Sequence, residues 1–180
     1  MGEAHRSLTI LTRKYGLVRA FARSSREERS KLRYSIQLLA LSDFSLVRGK
    51  EGWRVVGAVG QALFSKSLGG ERKKLILAGR LCFLLSRLVG VEESNERLFL
   101  LLKDVLYFVE RHQLSDDALK NSEHFFVLNM LHELGFLRPH PSLDRFVDTP
   151  RVSASLLSEF SPFRRQAAVL INEALKESQL

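Results

Sequence analysis

Leu11–Arg33 reads LTRKYGLVRAFARSSREERSKLR, and eight of its 23 residues are Lys or Arg. The charge is not scattered. Leu17, Arg19, Phe21 and Arg23 alternate against Val18, Ala20 and Ala22, a period of two that marks a β-strand. One face of that strand carries arginines and an aromatic ring; the other is small and apolar. A loose basic tail has no such alternation, so this segment places its charge on a folded sheet.

Its surroundings extend the β reading. Upstream, Leu8–Leu11 is a short apolar run, and Arg13–Gly16 has turn chemistry, with Gly16 free to take a positive φ. Downstream, Ser24–Ser30 is a polar loop, and Ile36–Val47 is a long strand with a bend at Asp43 and Ser45. Arg48–Gly52 reads as a hairpin turn before a strand at Trp53–Val59. Four short strands closing on themselves predict a small barrel over residues 1–62.

Beyond Leu63 the period changes to a helical one. Leu75, Ala78, Cys82, Leu85 and Val89 form a stripe between Glu71 and Gly90. Asn95 caps a second helix running to about His112. It is apolar on most sides (Leu98, Phe99, Leu101, Leu102, Val105, Leu106, Phe108 and Val109), which predicts that it is central and buried. Ser115 caps a third helix, Asp116–Leu134, with Gly135 at its C-cap. Arg138–Ser142 breaks the pattern, residues 143–161 leave the choice of element open, and Pro162 starts a last helix over Phe163–Lys176. The predicted class is α+β, with an all-helical region over residues 63–180.

Residues 1–54 hold twelve Lys/Arg against five Asp/Glu, whereas residues 55–180 hold sixteen against fifteen. The first third therefore carries nearly all of the net charge of +8, as a surface meeting a phosphate backbone would. With 45% hydrophobic residues the chain builds a core and is no disordered polycation. Its apolar stretches are interrupted by Arg80, Arg87, Lys103 and Asp104, too short and too charged to span a membrane. The opening MGEAHRSLTI lacks the apolar core of a signal peptide. The single cysteine, Cys82, makes no internal disulfide, and a cytoplasmic setting follows as the expectation.

The candidate nucleic-acid contacts are Arg13, Lys14, Arg19, Arg23, Arg26, Arg29, Lys31 and Arg33, with Tyr15, Phe21 and Tyr34 able to stack on bases. Glu27 and Glu28 lower the field locally. The competing reading is a solvated charged face with Phe21 in the core. No catalytic residue, metal site or cofactor is expected. The histidines lack ligand spacing, and no serine sits in a nucleophile elbow. No phosphate-binding loop occurs, and Glu92-Glu93 fall in a turn. Phe125, Phe126, Leu128, Met130, Leu131 and Leu134 read as core. The alternative is a peptide groove walled by Phe163, Leu170 and Leu175.

GEAHRSLTILTRKYG resembles the start of the bacterial recombination mediator RecO family, through Gly2, Glu3, Arg6, Leu11, Thr12, Tyr15 and Gly16. Ala22–Arg26, Ser30-Lys31-Leu32 and Ile36–Leu39 stand where that family has its next motifs. EESNERLFLLLKDVL, FFVLNMLHELGFLRP and FRRQAAVLINEALKESQL are similar to its helical segments. The departures are Ser24 and Tyr34 for glycines and Leu38-Leu39 for Pro-Phe. Set against that family, most of a first barrel strand is expected to be missing ahead of Gly2, which leaves either a different start or a reduced barrel with an exposed edge. Residues 139–162 contain no cysteine, so the zinc site of many relatives is not expected.

The resemblance implies an oligonucleotide-binding (OB) fold followed by a helical domain. It also implies sequence-independent binding and annealing of single- and double-stranded DNA, and aid to recombinase loading in the cytoplasm, at the nucleoid. The implied partners are the C-terminal tail of the single-strand-binding protein and the mediator RecR, with no membrane. Two other classes compete: an RNA-binding barrel module, and a helical interaction protein whose basic face is incidental.

Overall fold

The computed structural model describes residues 6–22, 32–50, 52–137, 140–147 and 151–177. Strands β1 (Arg6–Thr12), β2 (Gly16–Ala22), β3 (Ala40–Gly49) and β4 (Gly52–Leu63) precede helices α1 (Phe64–Ser67), α2 (Arg72–Leu88), α3 (Glu96–Arg111), α4 (Asp116–Glu133), α5 (Asp144–Val147), α6 (Ala154–Phe160) and α7 (Arg164–Glu177). The α+β class, sheet first and helices after, is as expected.

The four strands form one sheet in the order β1-β2-β4-β3. β1 and β2 pair antiparallel without interruption, from Arg6 opposite Ala22 to Thr12 opposite Gly16. β2 and β4 run parallel over Ala20–Ala22, and β3 and β4 are an antiparallel hairpin. The bend expected near Asp43 and Ser45 is realised as register shifts at Leu41/Ser42 and Ser45/Leu46. Such bulges kink a strand and increase its twist. The arrangement is OB-like, but the sheet does not close. β1 and β3 are its two edges, and among the described residues no strand bridges them.

β2 buries Val18, Ala20 and Ala22 and exposes Arg19 and Phe21, the alternation read from the sequence. The sheet's own core is small, with Ala20, Ala22, Ile36 and Val55 fully buried and Leu8, Ile10, Phe44, Leu46 and Trp53 packed partly against them. Leu17 lies elsewhere, in the large core of the helical body with Phe64, Leu68 and the buried faces of α2, α3 and α4.

Two helix expectations need correction. α4, not α3, is central. It packs against α2, α3, α5, α6 and α7 and buries a continuous run from Phe125 to Leu131. α3 buries one face and leaves Leu100 exposed. The stripe of α2 is also rotated. Lys74, Leu77, Ala78, Leu81 and Leu85 are buried, while Leu75 and Cys82 are only half-buried. Both misreadings have one cause. A helix apolar on most sides does not announce which side meets its neighbours, and three polar residues in α4 (Asn121, Ser122 and Asn129) are buried rather than solvated. Asn129 donates to the carbonyls of Phe125 and Phe146 at 2.9 and 3.1 Å, which satisfies it inside the core.

The helix caps follow the sequence. Asn95 accepts from the Leu98 amide and Ser115 from the Ala118 amide. Gly135 takes φ +75° after α4. Residues 161–163 make one 3-10 turn around Pro162 before α7 begins. Phe125, Phe126, Leu128, Met130 and Leu131 are wholly buried, so the core reading of that stripe holds, and α7 packs directly against α4 where the peptide groove would have lain between them.

Candidate nucleic-acid interface

The outer face of the sheet is built by register. Ser7 of β1 lies opposite Phe21 of β2, Phe21 beside Arg54 of β4, and Arg54 opposite Val47 of β3. One row of side chains thus crosses all four strands, with neighbouring backbones about 5 Å apart. Thr9 and Arg19 form the start of the next row. Phe21 is 45% exposed, so its ring faces solvent, and the reading that buried it fails. β1, β2 and β4 contain Arg6, Arg19 and Arg54 and no acidic residue at all. The one carboxylate of the sheet strands is Asp43 on β3, which accepts from Gln61 Nε2 at 2.7 Å.

Arg54 was missed by the sequence reading. Its signal is the same alternation that revealed Arg19: within Trp53-Arg54-Val55, the flanking residues turn inward and the arginine outward.

The other candidates divide. Tyr34 (72% exposed) and Arg33 sit on the turn between Leu32 and Leu39, open to solvent. Lys14 is exposed in the β1–β2 turn. Arg23, Arg26, Arg29 and Lys31 lie outside the described residues. Arg13 does not point to a free groove. Its Nε donates to Glu96 Oε1 of α3 at 2.7 Å, across 83 residues of sequence.

That ion pair belongs to a seam between sheet and helices. The α2–α3 loop lays Val91 beside Leu17 in a parallel bridge, and the Glu92 amide donates to the Leu17 carbonyl at 2.8 Å. Gly16 has φ +61°, and a Cβ there would stand 1.8 Å from the Glu93 carbonyl oxygen. Only glycine fits both the conformation and the approach. Glu92, at φ +63°, then accepts from Trp53 Nε1 at 2.9 Å and pairs with Arg48 at 2.9 Å. The Arg48 guanidinium lies 5.7 Å over the Trp53 ring, and Tyr15 packs against the same indole at 5.3 Å. Tyr15 is 51% exposed.

Elsewhere the chemistry is quiet. Burial pushes the Cys82 thiol up to about 11 from its ordinary 9.0, so at neutral pH it is a protonated, inert side chain. Among the described residues no three His, Cys, Asp or Glu side chains gather as a metal site would require, and no helix is long and apolar enough to cross a membrane.

A basic sheet face whose strands carry one carboxylate, Asp43 at the β3 edge, and an exposed aromatic, latched onto a helical body, defines an α+β protein of OB-like strand order. Its lineage comes from comparison with known proteins. The family model for the N-terminal part of recombination protein O matches residues 1–57, and the model for its C-terminal part matches residues 70–150. The chain belongs to the RecO family. The DNA repair protein RecO of Alkaliphilus metalliredigens strain QYMF is 28% identical over 139 residues, covering 77% of this chain and 54% of the relative. That of Dehalococcoides mccartyi strain CBDB1 is 28% identical over 161 residues, covering 89% and 60%. That of Synechococcus sp. strain JA-2-3B'a(2-13) is 33% identical over 122 residues, covering 62% and 42%. The matched span is thus about half the length of these relatives.

Proposed function

We propose that this chain is a non-enzymatic DNA-binding repair and recombination protein whose sheet, within residues 1–62, holds single strands without regard to sequence. Residues 63–180 serve as its protein-facing platform. The observation that carries the reading is the row Phe21–Arg54 with Arg19 beside it, on strands free of carboxylates apart from Asp43 at the far edge. Arginines on such a face neutralise phosphates and release counterions, and an exposed ring stacks on any base. Both contributions are sequence-tolerant, which suits a protein that anneals strands and helps load a recombinase. Double-stranded DNA, the single-strand-binding protein tail and RecR are the partners this reading carries, at the nucleoid. Arg23, Arg26, Arg29 and Lys31 follow β2 directly in the sequence.

The test is anisotropy of a labelled single-stranded DNA oligomer across salt concentrations. The logarithm of the affinity should fall with log salt by about 0.7 per phosphate neutralised. Reversing Arg19→Glu and Arg54→Glu together should flatten that slope by roughly 1.4 and weaken binding at least tenfold. Unchanged binding in the double variant, or none by the wild type at low salt, overturns the proposal. An RNA oligomer that outcompetes matched DNA moves the assignment to RNA through the 2′-hydroxyl.

A further inference from the structure

We infer that the seam is a second nucleic-acid contact site, in which the carboxylates of Glu92 and Glu96 occupy the places of backbone phosphates. Five observations meet there. Arg13 and Arg48, both well exposed, each hold a carboxylate oxygen within 3 Å. Both carboxylates come from the helical body, Glu92 from the α2–α3 loop and Glu96 from the first turn of α3, whereas Arg13 comes from the β1–β2 turn and Arg48 from β3. Lys14 and Lys50 stand in the two adjoining turns, solvent-exposed. Tyr15 offers a half-exposed ring already supported from behind by Trp53. The hairpin also joins this site to the outer face: Arg48 and Trp53 are directly paired, as are the next residues, Val47 and Arg54, on the opposite side.

A carboxylate and a phosphodiester each offer a guanidinium a pair of charged acceptor oxygens, so one replaces the other without rebuilding the arginine. Exposed ion pairs are weak enough to be exchanged. Glu92 and Glu96 therefore compete with DNA. A strand reaching the hairpin end of the sheet displaces them, gains Arg13 and Arg48, and stacks a base on Tyr15. The cost of that displacement tempers affinity, because a strand must break the seam's ion pairs before it gains their arginines.

This inference rests on the nucleic-acid reading above, and the experiment separates the two. Trp53 is the only tryptophan of the chain, so tryptophan emission, excited where the tyrosines do not absorb, reports on the surroundings of Trp53 in the seam. Unlabelled oligothymidylate is titrated while tryptophan emission is followed, and a labelled copy is followed by anisotropy in parallel. The expected result is a change in Trp53 emission that tracks the anisotropy. The double variant Glu92→Gln/Glu96→Gln should bind roughly threefold to tenfold tighter. The control pair Glu173→Gln/Glu177→Gln on α7, with the same change in charge, should gain less than about twofold.

Anisotropy that rises over a silent tryptophan overturns the inference and spares the outer face. Equal gains in seam and control variants overturn it too. No anisotropy change at low salt removes both proposals. If the double variant does not fold, Glu96→Gln alone, which leaves the Trp53–Glu92 bond in place, should still gain about twofold, and no gain counts against the site.

Discussion

Lys74 is 2% exposed, yet it keeps its ammonium satisfied. Nζ lies 2.8 Å from Glu71 Oε1 and 2.8 Å from the carbonyl oxygen of His112, the residue that ends α3. A cation is favoured at that end of a helix, and here it also ties the start of α2 to the close of α3. Lys74→Met keeps the stem and removes the donor, leaving the His112 carbonyl without its partner. The expected loss is about 1–3 kcal/mol in urea unfolding.

Cys82 gives a pH dependence. Its folded thiol ionises near 11 and its unfolded thiol near 9.0, so below pH 9 both states are protonated and nothing changes. Between pH 9 and 11 the unfolded chain releases its proton first, and stability falls as pH rises, by up to about 3 kcal/mol. Urea melts of the wild type should lose more between pH 8 and 10.5 than those of Cys82→Ala. Equal losses would dismiss the cysteine. These residues also mark where the sequence was legible. Arg19 and Phe21 were readable because a strand's period of two needs only neighbours. Arg13–Glu96 was not, because a pair 83 residues apart leaves no local trace.

At the scale of elements, the loop between α2 and α3 holds the sheet to the helical body, and it depends on Gly16. Gly16→Ala meets the Glu93 backbone and a left-handed φ together, and strain of that kind costs about 1–3 kcal/mol. The variant should melt earlier and shift Trp53 emission to the red, since the Trp53–Glu92 bond lies in the same latch. A lower melting point with unmoved emission would mean that the strain is absorbed elsewhere. Asn129→Asp tests a different join. It would replace a donor with an acceptor facing the carbonyls of Phe125 and Phe146, detaching α5 from α4 at a cost of at least about 2 kcal/mol.

Element types and caps were legible from local chemistry, as Asn95, Ser115 and Pro162 illustrate. The facing of helices was not. α2 offers apolar residues on several sides, and its buried side is chosen by the packing of α3 and α4, which no local pattern in α2 encodes. The bend in β3 was readable from Asp43 and Ser45. A reduced barrel with an exposed edge was one expectation, but which strands form the edges was not legible, since that depends on what pairs beside them.

In the whole molecule, charge and core are divided unequally. Among the described residues the sheet's own core is Ala20, Ala22, Ile36 and Val55, while the large core lies in the helical body, whose segment of the sequence is nearly neutral. A sheet so thinly filled does not stand by itself in water. Leu17, sunk among helical residues, is its anchor. Sheet and helices should therefore unfold in one transition, with Trp53 fluorescence and far-ultraviolet circular dichroism superimposing through urea. Two separated midpoints would show that the sheet is independently stable.

That anchor bears on how the chain is made. Strand β2 emerges from the ribosome early, but the partners of Leu17 and the Glu92 amide come some seventy residues later. Its pairing with β4 also waits for Trp53–Val55. For that interval a cationic, unfinished sheet trails outside the exit tunnel with nothing to dock on. Nascent chains whose exposed part ends before Val89 should be cut readily within β1 and β2, and those whose exposed part extends past Glu133 should resist. The order of synthesis is thus the reverse of the order of assembly: the strands, made before the helices, are the last to be secured.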